Sequence, residues 1–138
     1  MGSKEAITYL ETAEEQLKDA ELVFEGGSYA LCVFLSASAA ENAASALITK
    51  LGLVPSKKHR NSLIVKMILD ESDENQPSMR EIIKSLKSLE PHITRARYPV
   101  RRGVQLLPPS KLYARKDAEL ALSSARRVLA LVKDLEKS

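Results

Sequence analysis

From Lys4 to Glu25 the apolar positions fall at Ala6, Leu10, Ala13, Leu17, Ala20 and Phe24. Steps of four and three alternate, the spacing that places them along one face of an α-helix. Acidic residues crowd its first half, where the helix dipole favours negative charge. Gly26-Gly27 supplies the stop, because glycine takes the left-handed conformation at little cost. A second helix is predicted from Ser28 to Leu51, apolar nearly all round and rich in small residues such as Ala37, Ala40, Ala43 and Ala44. Such a helix belongs at the centre of a bundle, where small side chains let its neighbours approach closely. Gly52 and Pro55 end it. The short gap between the two helices makes them an antiparallel hairpin.

Beyond the hairpin lies a basic loop, Pro55 to Asn61, with Lys57, Lys58, His59 and Arg60. A shorter helix from Ser62 to about Asp70 is expected to bury Leu63 and Met67, with Ile64 and Ile68 as further candidates. After a polar turn from Glu71 to Pro77, the order Ser78-Met79-Arg80-Glu81 matches a capping box. It would open a helix that buries Ile82, Ile83, Leu86 and Leu89. Pro91 suits the first turn of another short helix. That helix ends near Arg97, because Tyr98 precedes Pro99 and is pushed out of the helical region. Tyr98 to about Tyr113 reads as a loop, long for a compact bundle and of the kind that often serves function. A last helix runs from Ala114 to Glu136, with the stripe Ala118, Leu122, Ala125, Leu129 and Val132. The expected fold is all-α: an antiparallel up-and-down bundle of three long helices, with short helices between the second and the last.

Composition narrows the class. The 138 residues, 44% of them hydrophobic, suit one domain spanning 1–138. There is no Trp and only two Phe, too few large aromatic side chains for a β-sandwich of this length. A single Cys excludes an internal disulfide framework and, with two His, leaves little for a metal cage. No metal site and no cofactor is expected. The most apolar run, Tyr29 to Ala40, is shorter than the roughly 20 residues that span a bilayer. No signal-peptide pattern opens the chain. A cytoplasmic protein without membrane contact is the expectation.

The net charge of +3 hides a strong segregation. Residues 1–55 carry three basic and eight acidic side chains, residues 56–116 fourteen basic and six acidic. Within the latter, 91–116 holds Arg95, Arg97, Arg101, Arg102, Lys111, Arg115 and Lys116 without one Asp or Glu. A one-sign stretch attracts phosphate and speeds encounter with polyanions. The alternative is a solvated surface segment whose charges meet the acidic first helix.

Motifs for common chemistries are absent. No Glu has a His three residues later, as a di-iron bundle needs, and there is no zinc-protease pattern, Walker loop or dinucleotide fingerprint. Glu41 and Asn42 interrupt the most apolar helix, where a carboxylate is costly unless paired. A Lys or Arg of the basic segment is the expected partner for Glu41, with a ligand- or partner-contacting role as the alternative. His59 reads as an exposed or capping side chain. His92, with Arg95 one turn on, is a candidate phosphate ligand or general base.

Several segments resemble one family in order. They are the opening helix from Tyr9-Leu10 to Ala20-Glu21, the turn Gly26-Gly27-Ser28-Tyr29-Ala30, the central Ala40-Glu41-Asn42-Ala43-Ala44, His59 before Leu63, Arg97-Tyr98-Pro99, and Lys116-Asp117-Ala118-Glu119. Together they resemble a HEPN domain of the small archaeal and bacterial type. The resemblance implies a helical bundle that pairs into a homodimer and binds nucleotides, often encoded beside a minimal nucleotidyltransferase in toxin–antitoxin pairs. Many members are metal-independent ribonucleases with Arg followed four to six residues later by His, a spacing no Arg has here. A Lys often follows the central Glu by four residues, where this chain has Ser45.

The expected function is therefore a nucleotide- or RNA-binding HEPN module without catalysis. Arg95, Arg97, Arg101 and Arg102 would contact phosphates, Tyr98 would stack on a base, and His92 would add a hydrogen bond. Glu41 and Asn42 are candidate polar groups of an inner site. The alternative is a toxin-like ribonuclease in which His92 activates a ribose hydroxyl and Arg97 or Arg95 holds the phosphate. A third reading is a dimer that masks a nucleotidyltransferase partner.

Overall fold

The computed structural model describes residues 2–72 and 76–137. Three long helices dominate it: α1 (Gly2–Glu25), α2 (Tyr29–Lys50) and α6 (Arg115–Lys137). Between the last two lie α3 (Asn61–Asp70), α4 (Pro77–Leu89), the single turn α5 (His92–Arg95) and a hairpin of β1 (Val100–Arg102) and β2 (Gln105–Leu107).

The helix α2 is the axis of the bundle. It packs against α1 and α6 along its length and touches α3, α4 and α5 as well. Its alanines make this possible: Ala40, Ala43, Ala44 and Ala46 are fully buried, so three neighbouring backbones can close on one helix. By length and composition α2 could cross a membrane, yet 72% of its most apolar window is buried by the other helices. The α1 stripe faces it as the spacing predicts, with Ala6, Ala13 and Ala20 buried and Leu10, Leu17 and Phe24 packed at the margin. The α6 stripe Ala118, Leu122, Ala125, Leu129 and Val132 is buried throughout. Cys32 is a core residue, and burial pushes its thiol above the ordinary value.

Ion pairs lace the outer faces. Arg126 reaches Glu21 at 2.8 Å and Lys133 reaches Glu14 at 3.2 Å, joining α6 to α1. Arg127 pairs with Glu81 of α4. The acidic first helix is thus met by cations of α6, while Arg115 of the basic stretch pairs within its own helix to Glu119 at 3.0 Å.

Three local expectations need correction. The α3 helix exposes Leu63 and Met67 and buries Val65 instead. Asn61 is anchored to α2 and fixes the rotation, so the inner line runs through Asn61 and Val65, one turn apart. The α4 helix begins at Pro77, with Gln76 at its cap, and Ser78 makes no capping bond. Proline's preset φ suits the first helical position and starts the helix earlier. The capping geometry occurs at α6, where the Asp117 carboxylate accepts from Ala114 N at 2.8 Å. The turn expected over Glu71 to Pro77 lies partly at 73–75, outside the described residues. Finally, the 98–113 segment is a built hairpin and a 3-10 turn (Pro109–Lys111). Arg102 pairs with Gln105 across a two-residue turn, and Gly103 at φ +62° occupies its first central position, as a type II′ turn requires.

Candidate functional site

Glu41 is reached by a side chain 18 residues away in sequence. Its Oε2 accepts a 2.6 Å hydrogen bond from His59 Nδ1. His59 therefore takes the place expected for a Lys or Arg. The loop that carries it is tightly wound. Ser56 Oγ accepts from Lys58 N and Arg60 N, both at 3.1 Å, and Ser56 N donates to Asn61 Oδ1 at 2.8 Å. Fully buried Asn61 donates in turn to Glu41 O at 3.0 Å and Ser45 Oγ at 2.9 Å. His59 sits at the apex with φ +58°, a left-handed conformation rare for a side-chain-bearing residue. Beside it, Glu90 accepts from Ser62 N at 2.9 Å and Ser62 Oγ at 2.6 Å, at the start of α3. Burial raises the Glu90 carboxyl above its ordinary range. The Glu41 charge adds to the rise, while the Ser62 hydrogen bonds and the Arg60 charge oppose it.

Asn42 points the other way. Its Nδ2 donates to Gln16 Oε1 at 2.7 Å and ties α2 to α1. Glu41 and Asn42 are sequence neighbours that serve different faces of α2.

His92 faces α6. Its Nδ1 lies 2.7 Å from Tyr113 Oη, and the two rings meet edge to face with centroids 5.5 Å apart. Both line a small cavity of about 140 Å³ with Val33, Leu89, Asp117 and Ser124. Burial lowers the His92 pKa, Arg95 lowers it further, and Asp117 opposes them. Burial likewise raises Tyr113. The result is an uncharged imidazole near neutral pH, able to hydrogen-bond or take a proton.

Arg97, two residues past the end of α5, lies against α2. Its guanidinium carbon is 5.0 Å from the Phe34 ring centroid and 5.1 Å from that of Tyr98, and its Nε donates to Ile93 O at 3.1 Å. Two rings and one carbonyl hold the planar group in place on an exposed residue. A concavity of about 450 Å³ opens here, lined by Ala30, Leu31, Phe34, Ala96, Arg97 and Tyr98. Tyr98 is 52% exposed.

The candidate residues thus fall into separate places. Arg97 and Tyr98 share one groove, and His92 lines another. Arg95 is exposed near His92, while Arg101 and Arg102 stand exposed on β1, and none of these three has an ion pair among the described residues. Of the four arginines, Arg97 alone lines one of these two concavities. Sequence reading missed Phe34, which looks like a core position on α2 yet stacks on Arg97, and Tyr113, the partner of His92. No local motif marks either. Among the described residues no group of His, Cys, Asp and Glu is arranged to hold a metal.

The family model for the HEPN domain matches residues 7–135. The chain belongs to the HEPN family. It is 28% identical over 137 residues to a protein of Methanocaldococcus jannaschii named "Putative toxin MJ1304", covering 97% of this chain and 90% of that one. The crystal structure of TT1696 from Thermus thermophilus superposes with a TM-score of 0.75 at 28% identity, over 94% of this HEPN chain and 97% of that one. A second structure, ST0689, described as an archaeal HEPN homologue, gives a TM-score of 0.71 at 24% identity, covering 95% and 97% of the two chains. The bundle is therefore the HEPN fold, from the α1–α2 hairpin to α6.

Proposed function

We propose that this HEPN domain is a cytoplasmic nucleotide- or RNA-binding module that acts as a homodimer without cleaving its ligand. A minimal nucleotidyltransferase is its proposed partner, in keeping with a relative named as a toxin. The carrying observation is the Arg97 guanidinium held against the Phe34 and Tyr98 rings. With two rings against it and Nε spent on Ile93 O, the group offers its amino edge, an edge that grips phosphate in two-point fashion. Little side-chain entropy remains to be lost on binding. The half-exposed Tyr98 ring gives a base a surface to stack on. Arg101 and Arg102 on β1, with Arg95, extend the positive field along the hairpin, and a second subunit would double it. Titrating labelled single-stranded RNA and ATP at low salt tests this; affinity untouched by joint Arg97→Ala and Arg101→Ala substitution rejects it.

A metal-independent ribonuclease is the second reading, favoured by the uncharged His92 beside the Tyr113 hydroxyl and the Arg95 charge. In that reading His92 takes the ribose proton and an arginine holds the phosphate. Cleavage measured in EDTA, lost in His92→Ala, would support it; equal cleavage or none in both proteins removes it.

A further inference from the structure

A second concavity, separate from the Arg97 groove, lies between the 56–61 loop and the end of α4. It has a volume of about 410 Å³ and is lined by Lys58, His59, Arg60, Ser62, Lys87 and Glu90, among others. Neither Arg97 nor Tyr98 reaches it. Three features set it apart from an ordinary charged surface. First, Lys58, Arg60 and Lys87 face one groove, and none of the three has an ion pair among the described residues. Second, the imidazole among them is oriented. Its Nδ1 is committed to Glu41 Oε2 at 2.6 Å, a bond in which the carboxylate accepts, which leaves Nε2 as the ring's remaining hydrogen-bonding atom. Third, that orientation is held against the backbone's own preference. His59 keeps φ +58° because the Ser56 and Asn61 hydrogen bonds wind the loop around it. Strain of this kind persists where the surroundings over-determine the geometry, and it concentrates at functional positions.

Two carboxylates adjoin the groove, and both are engaged. Glu41 is bonded to His59, and Glu90 takes both Ser62 donors at the α3 start while feeling the Arg60 charge from a distance. Three cations against these two occupied carboxylates leave the groove wall positive.

We propose that this groove is a binding site for a phosphate monoester, gripped by Lys58, Arg60 and Lys87 with His59 Nε2–H as an oriented donor. The ligand chemistry is a terminal phosphate with two ionisable oxygens, as carried by a free mononucleotide or by the 5′ end of an RNA. A dianionic terminus answers three cations better than the singly charged diester of a chain interior.

The test is an NMR titration of the whole chain at constant ionic strength that follows the His59 ring signals, and in every variant the backbone amide signals of residues 56–62. Inorganic phosphate, AMP, and a short RNA with a 5′-phosphate or a 5′-hydroxyl are the probes. The site predicts saturable movement of the His59 signals with the first three. The 5′-hydroxyl RNA should bind about tenfold more weakly than its phosphorylated twin, the scale of one lost charge-assisted contact. Tighter binding of AMP names a free nucleotide as the source, tighter binding of the phosphorylated RNA names an RNA end, and both support the site. Joint Lys58→Ala and Lys87→Ala substitution should weaken binding at least tenfold, whereas Lys66→Ala, at an exposed position outside the groove, should leave it intact. His59→Gly keeps the loop conformation, since glycine adopts positive φ freely, so it should retain the fold while losing phosphate. The proposal is overturned if phosphate leaves the His59 signals unmoved, if the two RNAs bind alike, or if His59→Gly or the double lysine variant binds as tightly as the wild type.

Discussion

Asn61 Nδ2 donates a 2.9 Å hydrogen bond to Ser45 Oγ inside the bundle, and this contact couples α3 to the central helix. Asn61 is completely buried and both ends of its amide are bonded, with Glu41 O and Ser56 N as its other partners. Removing it strands several buried polar groups at once, which costs more than the bonds themselves. Asn61→Ala is expected to destabilise the domain by about 2–4 kcal/mol, read from urea unfolding. The same variant should release the 56–60 loop, seen as faster amide exchange at Lys58 and Arg60.

The alanines of α2 set its distance from α1 and α6. Ala43 and Ala44 have no exposed surface, and close neighbouring helices leave little room for a larger side chain. Ala43→Leu should cost about 1–3 kcal/mol through overpacking, while Leu120→Ala at a 60% exposed position should change stability by less than about 0.5 kcal/mol. Thermal melting of the two variants side by side checks the contrast.

The His92 environment predicts a pH dependence with a definite sign. The folded chain holds His92 below its ordinary value of 6.5, mainly through burial. The unfolded chain therefore takes up a proton first as pH falls, and stability drops through the region around and below 6.5. Glu90 and Glu136, both raised by burial, act in the opposite direction at lower pH. The difference between wild type and His92→Gln isolates the histidine. Urea unfolding between neutral and mildly acidic pH should show the wild type losing stability faster than the variant.

Gly103 is needed for the hairpin and for little else. A side chain there meets nothing within 4 Å but must accept φ +62°. Gly103→Val should cost about 1–2 kcal/mol locally. Amide exchange over 100–107 should quicken, with the unfolding midpoint of the helical bundle nearly unchanged, because two strands alone contribute little to global stability.

The stripes of α1 and α6 are legible in the sequence because each is a single periodic face, and α2 because it is apolar all round. The α3 orientation is not, since its apolar residues fit more than one face and the deciding contact, Asn61 to Ser45, spans 16 residues. The hairpin is hidden for a similar reason. Val100, Leu106 and Leu107 are too few to show alternation, and Arg101-Arg102-Gly103 reads as loop. Of the site, Arg97 and Tyr98 stand out by their charge and their proline neighbour. The pairing of Glu41 with His59 and the stacking of Phe34 on Arg97 are tertiary facts that no local pattern encodes. That His92 and Arg97, five residues apart, line different concavities is likewise set by packing against α6 and α2 rather than by any local pattern.

Salt dependence of RNA binding is the sharpest check on the Arg97 groove. Affinity for a short single-stranded RNA should fall linearly with log salt, by about 0.7 in slope for each phosphate contacted. Joint Arg97→Ala and Arg101→Ala substitution should weaken binding and flatten that slope by about one contact or more, and Tyr98→Ala should weaken binding without changing the slope. Identical affinity and slope in wild type and the double arginine variant would refute phosphate recognition by this groove.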